Sequence, residues 1–195
     1  NMENKIRILH APSDEHVKGS IIIRSIIKTL IEKGYPIEYK EVIGMKNSVV
    51  LDELRKCDFV IDQLWSDTPM AKFATEAAFF GKPAVVGGYY AAVIHDEIGE
   101  EYIPPSLFVR PDEVETAVEK MISDHSFRVE LGKRAREFVR KNWSPRSIAE
   151  KYISIINKEV PDDWWFDPKT IRYLHGGGLE ESVLKDVIRR LIEFG

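Results

Sequence analysis

Between residues 5 and 157, short continuous apolar runs alternate with stretches in which apolar residues recur every three or four positions, the pattern of strands and helices in turn. Lys5 to His10 reads as a first strand. Ser20 to Lys33 follows as a helix, with Ile22, Ile26, Ile27, Leu30 and Ile31 on one side and Gly34 as its stop. Pro36 to Ile43 reads as a second strand, and Val49 to Lys56 as a short helix capped by Asn47 or Ser48. The segment from Cys57 to Gly88 is the richest. Phe59 to Leu64 is an apolar run broken by Asp62 and Gln63 near its carboxyl end, and Ala84 to Val86 is another, closed by Gly87 and Gly88. Both read as interior strands of a parallel sheet. Between them, Pro69 suits the first turn of a helix, where its missing N–H is no loss, with Ser66, Asp67 and Thr68 as caps ahead of it. That helix runs to Phe80 and stops at Gly81.

Leu107 to Val109 reads as a last strand, after which Pro111 opens a helix with Val114, Val118, Met121 and Ile122 facing inward. A second helix spans Ser126 to Lys141, and Ser144-Pro145 starts a third. The alternation predicts an α/β domain over residues 1–158, a three-layer, Rossmann-like parallel sheet of about five strands. Residues 159–195 form a C-terminal helical extension of different character. Pro161-Asp-Asp-Trp-Trp-Phe166 is aromatic and turn-like, Gly176-Gly-Gly178 reads as a joint, and Leu179 to Phe194 as an amphipathic helix. The stripe of Val183, Leu184, Val187, Ile188, Leu191 and Ile192 has two destinations, the chain's own core or a second domain or chain.

With 195 residues, 44% of them hydrophobic and 31% charged, the chain can bury one ample core. A net charge of -4 argues against a general nucleic-acid binder. The single Cys57 cannot form a disulfide within the chain and reads as a core residue in a reducing compartment. No apolar run approaches the roughly 18 residues of a membrane span, and no signal peptide precedes the first strand, so a cytoplasmic location is expected. His10 and His16 are isolated, which leaves no metal-ligand spacing and no metal to expect. No G-x-G-x-x-G follows the first strand, which argues against a dinucleotide enzyme such as an epimerase.

Several residues carry candidate chemistry. Glu76 sits among Ala74, Ala77 and Ala78, where an acid beside a buried strand needs a partner. The N–H groups of Thr68, Met70 and Ala71 fall at the expected helix start, a place attractive to phosphate. Gln63 and Trp65 end a strand at the binding edge and are candidates to contact a base or a sugar. Gly87 and Gly88 read as a turn that lets the backbone approach a ligand, or as a plain loop. His10 reads as a satisfied residue at a strand end.

Three of these elements resemble a known family. Glu76-Ala-Ala-Phe-Phe-Gly-Lys-Pro83, followed by an apolar strand and Gly87-Gly88, is similar to the E-A-x-x-x-G-x-P element in the donor domain of retaining glycosyltransferases of the GT-B fold, group 1 or family 4. Leu9-His-Ala-Pro-Ser-Asp-Glu-His-Val-Lys-Gly19 resembles that family's first strand and its Lys-Gly loop, and the helices from Asp124 to Arg136 and from Lys141 to Pro145 resemble its closing helices. The resemblance implies the C-terminal half of a GT-B fold that binds a nucleoside diphosphate sugar as donor substrate, without metal or other cofactor, for transfer of a hexosyl group to a glycan or lipid hydroxyl. It implies that Glu76 holds the ribose hydroxyls and that Lys18, with Gly19 allowing close approach, meets the diphosphate. Thr68 stands where the family carries another Glu, which passes the sugar contact to Asp67 or to main-chain N–H groups. No catalytic residue follows from the resemblance, Glu76 and Lys18 being the nearest candidates. It further implies an N-terminal acceptor domain or a separate acceptor subunit as partner, with an acceptor at a membrane surface compatible. The alternative is a non-catalytic, donor-domain-like interaction subunit.

Overall fold

The computed structural model describes residues 5–165, 167–170 and 181–194. Its elements run β1 (Ile6–His10), α1 (Glu15–Lys18), α2 (Ser20–Glu32), β2 (Ile37–Glu41), α3 (Asn47–Lys56), β3 (Phe59–Ile61), α4 (Lys72–Phe79), β4 (Ala84–Gly87), α5 (Ile94–Glu97), β5 (Leu107–Val109), α6 (Val114–Ser123), α7 (His125–Asn142), α8 (Pro145–Ile156) and α9 (Glu181–Phe194). Among the described residues the strands form one sheet in the order β2-β1-β3-β4-β5, and every pair is parallel. This is the expected Rossmann-like α/β sheet. It carries a C-terminal helix in addition.

The alternation of side chains along each strand sorts the core into two halves. Ile8, Phe59, Ile61 and Val85 point to one face, where α2 and α6 bring Ile23, Ile27, Leu30, Val118 and Met121. Leu9, Val60, Ala84 and Val86 point to the other, covered by Leu54 of α3, Phe73, Ala74, Ala77 and Ala78 of α4, and Ala135 and Val139 of α7. The central strands β3 and β4 are buried throughout, whereas Glu38 and Lys40 of the edge strand β2 face solvent. Cys57 lies in the second half, and burial pushes its thiol up to about 12.

Several boundaries differ from the sequence reading. In α2 the buried set is Ile23, Ile26, Ile27 and Leu30, while Ile22 and Ile31 are exposed. Both readings keep a helical spacing, and the sheet selects the stripe centred on Ile23. α3 starts at Asn47 after Lys46, with no side-chain cap from either Asn47 or Ser48. β3 ends at Ile61, and α4 begins at Lys72 rather than Pro69. Ser66 and Thr68 account for that delay: the Ser66 hydroxyl accepts from Thr68 N at 3.2 Å and donates to Thr68 O at 2.6 Å, while Thr68 Oγ1 accepts from Met70 N at 3.4 Å. Local side-chain bonds of this kind offer the backbone a turn in place of a helix. The short helical turns between Tyr89 and Tyr102 had no counterpart in the sequence pattern.

After α8, the turn Asp162–Trp164 returns to the body, where Tyr102 OH donates to Asp163 at 3.2 Å and Lys151 Nζ lies 6.0 Å from the Trp164 ring. Among the described residues α9 has none that is buried. The expected Gly176–Gly178 joint, Phe166 and Leu179 lie outside the described residues. Among the described residues no helix is long and apolar enough to cross a membrane.

Candidate functional site

The order β2-β1-β3 means that the chain leaves β1 toward one side of the sheet and β3 toward the other. Loops that diverge in this way leave a crevice at the carboxyl ends of the strands, the general ligand position in open parallel sheets. His10 closes the floor of that crevice. Its Nδ1 lies 2.8 Å from Ile61 O and its Nε2 2.8 Å from Ser20 Oγ. A carbonyl can only accept, so Nδ1 carries the proton and Nε2 accepts from the Ser20 hydroxyl. Burial pulls the His10 pKa down, against the opposing influence of the Ile61 carbonyl. A neutral ring thus ties the ends of β1 and β3 to the start of α2, a structural role that agrees with the sequence reading.

The β1–α2 loop turns twice within a few residues. Asp14 caps α1 by accepting from His16 N and Val17 N. Gly19, at φ 73°, ends α1 and starts α2, and a Cβ there would lie 2.6 Å from Leu64 Cδ1. Both the left-handed backbone and the contact with Leu64 demand glycine. The turn leaves Lys18 directed at the end of β3, where Nζ donates to Asp62 Oδ1 at 3.0 Å and to Gln63 Oε1. The Asp62 side chain has no exposed surface, and that of Lys18 retains 15%. An ammonium has three N–H groups, so one is left for the cleft.

That cleft has a volume of about 300 Å³ and lies at the carboxyl edge. Ala11, Pro12 and Ser13 come from the loop after β1 and Lys18 from the end of α1; Gly44 and Met45 come from the loop after β2 and Asn47 from the start of α3; Lys72, Phe73 and Glu76 come from α4. Lys18 from the end of α1 and Lys72 and Glu76 from α4 therefore meet around one concave space. The first turn of α4 opens on it without a side-chain cap, so its N–H groups add a positive dipole end. A basic wall and a single carboxylate suit a ligand that is anionic at one part and rich in hydroxyls at another.

The other residues singled out from the sequence are distributed differently. Gln63 orients Lys18 from beside it. Trp65 packs on the core of the α2 and α6 face, away from the α4 face onto which Glu76 and Phe73 open. Thr68 is exposed in the turn before α4, and Met70 is buried in the core, so the amides of both serve the local turn rather than the helix start. Ala71 is the residue that caps α4, and the first-turn amides belong to Lys72, Phe73 and Ala74. Gly87 and Gly88 admit backbone rather than ligand: a Cβ on Gly88 would lie 2.1 Å from Ser66 O, and one on Gly87 would lie 2.6 Å from Leu64 O. Sequence reasoning missed Asp62 and Lys72. A charged residue inside the apolar run Phe59 to Leu64 was the available signal for Asp62.

No sequence-family model matches the chain, and no curated protein matches it in sequence. Solved structures do match in shape. A TarM variant of S. aureus, in complex with fondaparinux, alpha-GlcNAc-glycerol and UDP, is 12% identical with a TM-score of 0.59, covering 80% of this chain and 36% of its own. HepE of Anabaena, in complex with UDP and glucose, is 13% identical with a TM-score of 0.56, covering 80% of this chain and 49% of its own. The catalytic domain of starch synthase IV from Arabidopsis thaliana, bound to ADP and acarbose, is 12% identical with a TM-score of 0.51, covering 79% and 38%. The chain thus has the fold of a Rossmann-like portion of GT-B glycosyltransferases. It spans between about a third and a half of the length of the structures it matches.

Proposed function

We propose that the chain is the donor-binding domain of a retaining, group 1 glycosyltransferase that takes a hexosyl group from a nucleoside diphosphate sugar. The observation that carries this reading is the convergence of Lys18 and Glu76, from segments far apart in sequence, on one cleft at the carboxyl edge of the sheet. In this reading the Glu76 carboxylate accepts hydrogen bonds from the ribose hydroxyls. The free N–H of Lys18 and the amino end of α4, with Lys72 beside it, meet the diphosphate. Charge that develops on the leaving diphosphate is then stabilised by groups already in place, which is electrostatic catalysis with no covalent step on the protein. Transfer also needs an acceptor hydroxyl, brought by an acceptor-binding domain or subunit that closes over the cleft and excludes water.

Titration of the protein with UDP-glucose, GDP-mannose and ADP-glucose by calorimetry tests the reading. One of these donors should bind, and Glu76→Ala should weaken it by about tenfold or more, the loss of hydrogen bonds to a charged group. An unchanged affinity in a folded Glu76→Ala variant would remove Glu76 from the site. Donor affinity should be the same with and without a chelator, since Lys18, Lys72 and the helix end supply the positive charge; affinity lost on chelation would count against the metal-independent mechanism.

A further inference from the structure

Asp62 occupies an unusual place for a carboxylate. Its amide donates to Val85 O at 3.0 Å, which locks the backbone beside β4. Its Oδ1 accepts from Lys18, while Oδ2 is buried with no hydrogen-bond partner among the described residues. The neighbouring His10 is neutral and uses both ring nitrogens elsewhere, so it supplies no charge. Asp62 therefore depends on the Lys18 ammonium for compensation, and a buried charge stripped of its partner is strongly unfavourable. Lys18 has no freedom to leave Asp62 in order to follow a ligand.

We infer that Asp62 is a positioning residue: together with Gln63 it fixes the Lys18 ammonium in the cleft, and the remaining N–H meets the donor diphosphate without Asp62 touching the donor. This inference rests on the donor-binding reading above. A free lysine loses rotamer entropy when it captures an anion; one already held by two acceptors has lost it on folding, so more of the contact appears as affinity. Charge alone makes the opposite prediction, because a carboxylate beside a diphosphate site repels the ligand. The sign of the effect of removing Asp62 therefore separates positioning from simple electrostatics.

The first test is nuclear magnetic resonance of the lysine ammonium groups in the nucleotide-free protein. The Lys18 ammonium should be protected from proton exchange, and the protection should fall in Asp62→Asn, which loses the charge that holds it. An ammonium that exchanges as fast as those of surface lysines overturns the inference, and this wild-type signal is decisive even where a variant does not fold. The second test is calorimetry with UDP-glucose, GDP-mannose and ADP-glucose. Asp62→Asn should bind the donor about tenfold more weakly, and the double variant Asp62→Asn/Lys18→Met should bind no more weakly than Lys18→Met alone, because residues that act as one unit do not add. Equal or tighter binding by Asp62→Asn, or losses that add, overturns the positioning role and leaves donor binding standing. A wild-type protein that binds none of these donors overturns both.

Discussion

α2 and α9 carry the same kind of apolar stripe and end in opposite surroundings. α2 buries Ile23, Ile27 and Leu30 almost completely against the sheet. α9 leaves Val183, Val187, Ile188, Leu191 and Ile192 exposed, from 43% to 77%. Each fully buried aliphatic side chain stabilises by about 1.5–3 kcal/mol relative to an exposed one, so α2 is held by its packing while α9 gains little from the described body. Connection explains the contrast. α2 is tethered at both ends to adjacent parallel strands, β1 and β2, and has to cross the sheet between them. Among the described residues no strand lies between α8 and α9, so none ties the start of α9 to the sheet. An amphipathic pattern therefore specifies a helix and its sided character, but attachment to the sheet decides whether the apolar side is used.

The sharpest way to break this comparison is to shorten the same residue type in both helices. Leu30→Ala, at a site with no exposed surface, should cost about 2–5 kcal/mol in urea unfolding. Leu191→Ala, at 68% exposure, should change the unfolding of the body by no more than about 0.5 kcal/mol. Similar losses at both positions would mean that α9 packs on the body in solution.

A smaller effect concerns the crevice floor, the region that α2 helps to build. Burial holds the His10 pKa below its ordinary value of 6.5. As pH falls, the unfolded chain takes up this proton before the folded state does, so the contribution of His10 is complete above about pH 6.5 and is lost below it. Wild-type urea midpoints should therefore drop between about pH 7.5 and pH 5 by more than those of His10→Gln, which cannot titrate there. Equal drops would place the histidine outside the folding equilibrium. Smallest of all, a charge on the exposed stripe, Leu191→Glu, should leave both the His10 pH profile and donor affinity unchanged, as distant independent sites do. A shift in either, measured by the same titrations, would couple α9 to the crevice.

The order of strands and helices was legible because periodicity is local: each run from Lys5 to Ile156 reports its own repeat. Glu76 was singled out as an acid framed by alanines beside a strand that must be buried, and Lys18 by the resemblance of its loop to the family's Lys-Gly loop. The α4 start was misjudged at Pro69 because Ser66 and Thr68 are good caps in sequence, yet their hydroxyls close a turn on the nearby backbone instead. Trp65 was read as a candidate to contact a base or a sugar, with packing as the alternative; it packs toward α2 and α6.

By itself the sequence determined the α/β alternation, the two sides of each element and the presence of isolated charge at the ends of buried strands. Only the tertiary structure decided which of those charges meet. The Lys18–Asp62 pair joins residues 44 positions apart, and it forms because β3 adds beside β1 on the edge opposite β2. Composition and periodicity carry no record of that choice, since strand order is set by how whole layers pack, whereas each local pattern is satisfied on either side of β1.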